Sequence, residues 1–390
     1  MKYEFTIFGF GISAKITSCL LARNGFSVCL ISDKDQKQEI SNTNLVTFLS
    51  RGSLNYLSSM FPNTKKFEEH PEIDSIHCEL NSLRGNKPQS IKFNDGEKQN
   101  LGKIVKNTDL EKYLDQEIGQ LSNINIIHGS YPSMVENKKD GIKLKLNNGE
   151  EIDTDLFILS STKNNIAEHI NIDFIKKDLE KSAISINVKG DIKNANCAFQ
   201  KFTSDGPLAL LPYSKNEASI VWSLKRGSKL LHKNDEELLQ IITKHLSEQV
   251  SSIKMTSNEK HKLQFVYAKN LVYKNTVLLG NIAHNIHPIA GQGLNLSIKD
   301  IALFVNQIKK YKSLGYKLND QMVLEEFEMK RKMDNTAYSF GTFLLDDIFS
   351  SNNNFVNYTA RTGLGLVEKI KNLKQLFIRS ATGEDFYKAL

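Results

Sequence analysis

Long apolar runs are missing from this sequence of 390 residues. The longest, such as ISINV and NTVLLG, fall far short of the ~20 residues that a membrane-spanning helix needs, so no such helix is expected. The N-terminus passes from MKYEFTIF directly into a glycine turn and lacks the small-residue cleavage site of a signal peptide. We therefore expect a protein that stays in the cytoplasm.

Cysteine is scarce and basic residues are not clustered. The four cysteines, Cys19, Cys29, Cys78 and Cys197, form no CxxC pair, which argues against a zinc site or a disulfide framework and favours reduced, buried thiols. The net charge is +7, but the lysines are scattered and no basic run alternates with aromatic residues. We expect no nucleic-acid partner; a weak preference for anionic lipid fits the charge better.

The amino-acid composition is that of an ordinary globular protein. A composition of 40% apolar and 24% charged residues fits a folded chain, and its length suggests two or three packed units. YEFTIF reads as a strand, KITSCLLARNG as a helix that Gly25 ends, and FSVCLISD as a second strand. This order predicts a βαβ unit and a parallel sheet.

The first turn carries a glycine pattern that has a physical role in binding. Gly9, Gly11 and Ala14 form GxGxxA between the first strand and the first helix. The glycines allow a tight turn and close approach of a pyrophosphate, and the alanine allows close helix–strand packing. Asp33 ends the second strand, where it can accept hydrogen bonds from a ribose. The pattern predicts dinucleotide binding but does not separate FAD from NAD.

A second glycine-rich stretch, GNIAHNIHPIAGQGLNLSIKD at 280–300, follows the apolar strand NTVLLG and opens a helix. Gly291 and Gly293 remove side chains, so the backbone can lie against a flat ring. The N–H groups at the helix start, near Leu294 and Asn295, can face an electron-rich ring edge such as that of a reduced flavin. This stretch favours a flavin.

This stretch also resembles the GDAAH-x-x-x-P-x-x-GQGLN segment of the FAD-dependent aromatic hydroxylases with the p-hydroxybenzoate hydroxylase fold, and among them the ubiquinone-biosynthesis hydroxylases. AFQKFTSDGPLALLPYSKNEASIVWS is similar to the middle segment of that family, and RTGLGLVEKIKNLKQLFIRSATG to its C-terminal helix. The resemblance implies a Rossmann-like FAD-binding α/β domain, an inserted and mainly antiparallel β domain for substrate, and a helical C-terminal region.

We predict the domain bounds from the change of pattern along the chain. The FAD-binding domain is expected at 1–75, 96–165 and 266–310, with LQFVYA and NTVLLG returning the chain to it. The substrate domain is expected at 76–95 and 166–265, and the helical region at 311–390.

The resemblance further implies a reaction in which NAD(P)H reduces bound FAD and O2 is used to hydroxylate the ring of a polyprenylated phenol. Pro288 would lie beside the flavin ring. The cofactor-binding residues expected in this segment are Gly280, Asn281, Pro288, Gly291, Gln292, Gly293, Leu294 and Asn295. The residues expected on the substrate side are Gly206, Pro207, Leu208, Leu210 and Pro212. No side chain is assigned as catalytic acid or base.

The sequence departs from the family at cofactor contacts. Asn281 replaces an aspartate, and the family's A-D-G-R becomes Ser160, Ser161, Thr162 and Lys163. Leu45 and Thr108 stand where arginines are common. These changes leave three alternatives open: an active hydroxylase in which Lys163 supplies the lost positive charge, a non-catalytic scaffold or quinone-binding subunit of a biosynthetic complex, and a flavin-dependent lipid reductase.

Two further patterns have plain alternatives. His284 and His287 could suggest a metal pair, but no third ligand follows at a suitable spacing, so we expect no metal and a structural role for His284. The segment LVEKIKNLKQLFIR places apolar residues on one helical face and basic ones elsewhere, which fits domain packing, docking to partner enzymes of ubiquinone biosynthesis or peripheral contact with the inner face of a membrane.

Overall fold

The structure, a computed structural model, describes residues 1–35, 44–61, 69–80, 89–96, 100–285, 293–350, 378–379 and 382–390. The strands in this part of the chain are β1 (Lys2–Phe8), β2 (Val28–Ile31), β3 (Val46–Ser50), β4 (Glu72–Ile73), β5 (Ser75–Leu80), β6 (Gln89–Asn94), β7 (Gly102–Lys106), β8 (Ile124–Ile127), β9 (Pro132–Lys138), β10 (Gly141–Leu146), β11 (Glu151–Leu159), β12 (Phe174–Ile192), β13 (Cys197–Thr203), β14 (Gly206–Pro212), β15 (Glu217–Lys225), β16 (Val250–Ala268), β17 (Val272–Tyr273), β18 (Thr276–Leu278) and β19 (His284–Asn285). The helices are α1 (Ile12–Arg23), α2 (Arg51–Met60), α3 (Asn107–Gly119), α4 (Ile166–His169), α5 (Asp235–His245), α6 (Gly293–Ser313), α7 (Gln321–Ser350) and α8 (Glu384–Lys388).

The first sheet holds the βαβ start. Its parallel part has the order β18-β11-β1-β2-β8, with β17, β10 and β9 added antiparallel. The apolar run of β1 is buried from Phe5 onward because helices cover this sheet, and Phe5 packs edge-on against Phe304 of α6. The carboxyl ends of β1, β2, β11 and β18 meet at one edge of the sheet, where the glycine turn lies.

The second sheet is mainly antiparallel, in the order β19-β16-β12-β15-β14-β13-β5-β6. One face packs on α5, with Trp222, Ile184 and Leu238 fully buried between them. The strands β3, β7 and β4 form a third, small sheet. Together with the helices α6 to α8, these sheets confirm the predicted fold class, whereas the exact domain bounds stay a prediction.

One local expectation was wrong. LQFVYA does not return to the first sheet, because it ends the long strand β16, which pairs antiparallel with β12 throughout; only NTVLLG returns, as β18 beside β11. The β-branched and aromatic residues of LQFVYA fit either sheet, so its pairing with β12 decides which sheet it joins.

The helices of the described residues include none that is both long and apolar enough to cross a membrane. The amphipathic C-terminal segment at 366–379 lies outside the described residues except for Ile378 and Arg379. Membrane or partner contact through it therefore stays a prediction.

Candidate functional site

The turn between β1 and α1 leaves open space at the start of the helix. Gly9 has a φ of +131°, and a Cβ there would lie 3.0 Å from the backbone of Ser160. Gly11 is the N-cap without any capping side chain, and a Cβ on it would meet nothing within 4 Å. Ala14 is fully buried against the sheet. The first N–H groups of α1 therefore lack intrahelical partners and border open space.

Two hydroxyl groups converge beside this helix start. A Cβ on Gly280 would lie 2.8 Å from the Cβ of Ser13 and 3.1 Å from Oγ of Ser160, so only glycine leaves this room. Oγ of Ser160 is buried and has no hydrogen-bond partner within the described part of the chain. A buried hydroxyl without a partner favours a polar ligand atom at this point.

Asp33 is already paired. Its Oδ2 lies 2.9 Å from Nζ of Lys163, with the side chains 20% and 54% exposed. Lys163 follows β11, and Asn164 and Asn165 turn the chain with φ of 59° and 51°, a conformation that asparagine tolerates better than most residues. The structure thus brings the lysine that replaces the family's arginine onto the carboxylate expected to bind a ribose.

A cavity of about 570 Å³ extends from the helix start. Its cofactor-side wall includes Gly11, Ser13 and Ser160, and its opposite wall is the second sheet. Its volume is in the range of pockets for small molecules and cofactors. The open space over Gly11, the converging hydroxyls and the cavity behind them fit the phosphate and ring portions of a dinucleotide.

The residues of the second glycine-rich stretch differ in their burial and in their contacts. Asn281 is exposed and lines the cavity together with Gly293 and Leu294 at the start of α6. Asn295 is buried, and its amide donates to the Phe48 carbonyl at 2.7 Å and accepts from the Ser50 N–H at 2.9 Å. Its side chain therefore fastens β3 to α6. Pro288, Gly291 and Gln292 lie outside the described residues.

His284 belongs to a buried charge network that the sequence did not reveal. Its Nε2 lies 2.6 Å from Oδ2 of Asp300 in α6, and Arg331 of α7 donates from Nε to Oδ1 of Asp300 at 2.6 Å. Asn335 donates to both carboxylate oxygens, and the side chains of His284, Asp300 and Arg331 are 0% exposed. His284 thus joins the loop at 280–285 to two helices. Among the described residues there is no group of three or more metal-ligating side chains.

Charge dominates the chemistry of this network. Burial by itself raises the pKa of Asp300, but the charges of Arg331 and His284 and their hydrogen bonds outweigh it. The pKa of Asp300 is therefore below its ordinary value, and the carboxylate stays ionised in the core. The network fixes the loop that carries Asn281.

The expected substrate strand β14 presents a different set of side chains to the cavity. Leu208 and Leu210 point into the core with α5, whereas Leu211 faces the other way and lines the cavity. Pro207 and Pro212 are buried, and neither lines the cavity. Strand alternation explains this, because neighbouring side chains face opposite sides of a sheet. The cavity side of this strand is therefore Leu211.

Gly206 has a backbone role. Its φ is +137°, and a Cβ would lie 1.9 Å from the carbonyl oxygen of Ser223 on β15. We expect Gly206→Ala to lower the free energy of unfolding by about 1–3 kcal/mol, measured by urea denaturation. Gly227→Ala is the control, since a Cβ there meets nothing within 4 Å. Equal stability of the two variants would contradict this role.

Comparison with known proteins agrees with this geometry. The family described as FAD binding domain matches residues 162–312, which include the stretch at 280–300. Ubiquinone hydroxylase UbiL of Rhodospirillum rubrum is 24% identical over 390 residues, covering 97% of this chain and 89% of that protein. The 3-demethoxyubiquinol 3-hydroxylase of Escherichia coli is 25% identical over 396 residues, covering 97% and 98%.

Solved structures show the fold. p-Nitrophenol 4-monooxygenase PnpA from Pseudomonas putida superimposes with a TM-score of 0.78 at 10% identity, covering 98% of both chains. PqsL, a probable FAD-dependent monooxygenase from Pseudomonas aeruginosa, gives 0.74 at 14% identity over 90% of this chain and 97% of that one. The resemblance inferred from the sequence is thereby confirmed: the chain is a relative of proteins named as ubiquinone-biosynthesis hydroxylases and has the fold of FAD-dependent monooxygenases.

Proposed function

We propose that this chain is an FAD-dependent monooxygenase that hydroxylates the aromatic ring of a polyprenylated phenol in ubiquinone biosynthesis, with NAD(P)H as reductant and O2 as co-substrate. The observation that carries the proposal is the cavity that joins the uncapped start of α1 to the second sheet. One end fits a dinucleotide, and the other end has room and apolar side chains for an aromatic ring. The relatives named above support the choice of substrate class.

The residues at the first end have distinct tasks in this proposal. The start of α1, through Gly9 and Gly11, would bind the pyrophosphate, because free N–H groups and the helix dipole favour an anion there. Asp33 would bind a ribose, with Lys163 beside it adding positive charge toward the phosphates. Ser160 would give its unpaired hydroxyl to the same ligand.

The loop and α6 would hold the ring portion. Asn281 would bond a hydroxyl of the ribityl chain, since an amide both donates and accepts. The N–H groups at Gly293 and Leu294 would face the electron-rich edge of the ring. Bound FAD supplies the redox chemistry with NAD(P)H and O2 that side chains lack.

The second sheet would orient the phenol and keep water away from it. Leu211, Val221 and Leu263 line that side of the cavity, and Ala183 leaves space between them. We propose the second sheet as the substrate-binding part and the first sheet with its helices as the FAD-binding part, within the bounds given by the sequence.

The first test is the absorbance spectrum of the protein purified without added flavin and again after adding FAD. We expect a flavin spectrum that stays with the protein through gel filtration, followed by NAD(P)H oxidation that a polyprenyl phenol stimulates and a product with one added oxygen. No retained flavin after reconstitution would favour the non-catalytic scaffold. Retained flavin with a saturated lipid product and no oxygen consumption would favour the lipid reductase.

A further inference from the structure

The second sheet presents the imidazole of His261 to the cavity. His261 of β16 is paired with Ala183 of β12, and both line the cavity. The neighbouring pair on this face is Ser185 with Glu259. Because alanine and serine are small, they leave open space beside the His261 ring. A planar ligand lying on this face therefore has His261 within reach.

The nitrogens of His261 are not used by the fold. The side chain is 41% exposed, and its Nε2 is buried without a hydrogen bond. Neither ring nitrogen has a hydrogen bond to a described residue, although Nε2 lies 3.4 Å from Oε2 of Glu259. The imidazole can therefore accept a proton from a ligand without breaking an existing hydrogen bond.

Glu259 is held so that it can orient this imidazole. Its Oε1 accepts two hydrogen bonds from Asn44, one from the backbone N–H and one from the side-chain amide, both at 3.1 Å. The other carboxylate oxygen is the one that faces His261. A base with an acid behind it is the arrangement that fixes the orientation of an imidazole and stabilises its protonated form.

The proposed substrate gives such a base a task. A phenol ring becomes much more electron-rich when its hydroxyl loses a proton, and an electron-rich ring accepts an oxygen atom more readily. We propose that His261, oriented by Glu259, is the catalytic base that takes the phenol proton of the substrate. The O–H bond breaks, an N–H bond forms on the imidazole, and the electron pair stays on the phenolate oxygen; the proton returns to the oxygen after the ring is hydroxylated. This assignment rests on the proposed function.

Other charged groups face the same space. Lys262 is next to His261 and also borders the cavity, but strand alternation turns its side chain to the opposite face of β16. His284 of β19 lines the cavity on the same sheet, but its side chain is fully buried and its Nε2 lies 2.6 Å from Oδ2 of Asp300. Glu111 lies on α3, and β12 contributes the uncharged Ala183 and Ser185. Burial raises the pKa of Glu111, but this carboxyl lies near Lys15 and Lys34 at the dinucleotide end. His261 is therefore the base on the substrate wall.

The test separates proton transfer from folding and from cofactor binding. A short-chain alkyl nitrophenol, whose phenolate has a distinct absorbance, is titrated into the FAD-loaded protein at several pH values. The wild type is expected to bind it as the phenolate below the pH at which it ionises in water. In the His261→Gln variant, the bound nitrophenol should reach the same ionised fraction only at a pH at least about one unit higher than in the wild type. His232→Gln, at an exposed position outside the cavity, is the control.

Turnover gives the second readout. His261→Gln should lower kcat/KM for the phenol by about 10²–10³-fold near neutral pH, and the loss should shrink as the pH approaches the value at which the free phenol ionises. Glu259→Gln should change both the ionisation of the bound nitrophenol and kcat/KM, but by less than His261→Gln. This second variant tests the same proposal if the His261 variant folds poorly.

The outcomes are distinguishable. An unchanged ionisation of the bound nitrophenol and an unchanged pH dependence in a His261 variant with normal FAD content would overturn the assignment. The assignment would also be overturned if Glu111→Gln, and not His261→Gln, changed the ionisation of the bound nitrophenol and the pH dependence of turnover. Failure of the wild type to bind FAD would instead overturn the proposed function itself.

Discussion

Replacing Arg331 by methionine is expected to lower the free energy of unfolding by about 3–5 kcal/mol, although Arg331 belongs to none of the predicted motifs in the sequence. The guanidinium is 0% exposed and bonds Asp300, Asp334 and Asn335. Methionine keeps the aliphatic part of the side chain but leaves the Asp300 carboxylate buried without its main cation. Urea denaturation of the wild type and the variant measures the difference.

An exposed arginine provides the matched control. Arg226 donates two hydrogen bonds to Asp178, but both side chains are nearly half exposed. Water already screens this pair, so Arg226→Met should cost less than about 1 kcal/mol. In a double variant, Asp300→Asn should recover part of the loss caused by Arg331→Met, because it removes the unpaired charge. Equal losses for Arg331→Met and Arg226→Met would mean that the buried network contributes little.

The second large effect concerns the cofactor and not the fold. Gly11→Val is expected to weaken FAD binding by at least about 100-fold, or about 2.7 kcal/mol. The backbone of Gly11 has φ −77°, which valine adopts readily, and a Cβ meets no atom within 4 Å. The new side chain would fill the space that a pyrophosphate needs to approach the helix start. Fluorescence titration of the flavin-free protein with FAD measures the change.

Stability should hardly change in the Gly11 variant, by no more than about 1 kcal/mol, since only an uncapped N-cap position is altered. Gly119→Val, at the exposed end of α3, also projects into open space and should leave FAD affinity unchanged. A Gly11→Val protein that binds FAD like the wild type would place the dinucleotide elsewhere.

Much of the first sheet follows from short-range patterns. Residues 3–33 contain a buried apolar run, a helix and a glycine turn in unbroken order, so β1, α1 and β2 could be predicted with the site at their edge. The partner of LQFVYA could not be predicted, because a strand that suits either sheet is assigned only by the strands that compete for it.

The candidate site also has features that local sequence indicates and features that only packing decides. Gly9 and Gly280 have positive φ values and Gly11 leaves open space at the helix start, and local sequence indicates such positions because glycine has no side chain. Asn295, Leu208 and Leu210 show what local sequence leaves open, since the burial of a side chain and the face of the sheet it occupies depend on what packs there.

By itself, the sequence predicted a dinucleotide-type turn, a flavin-type loop and a second β sheet, and it identified the proteins that they resemble. Only the tertiary structure decided that Lys163 pairs with Asp33, that His284 and Arg331 both bond Asp300, and that His261 lines the cavity with Glu259 beside it. The physical reason is separation along the chain. The Lys163–Asp33, His284–Asp300 and Arg331–Asp300 pairs join different elements, so their contacts arise from long-range packing that no local pattern encodes. His261 and Glu259 are neighbours on one face of β16, and long-range packing decides that His261 borders the cavity.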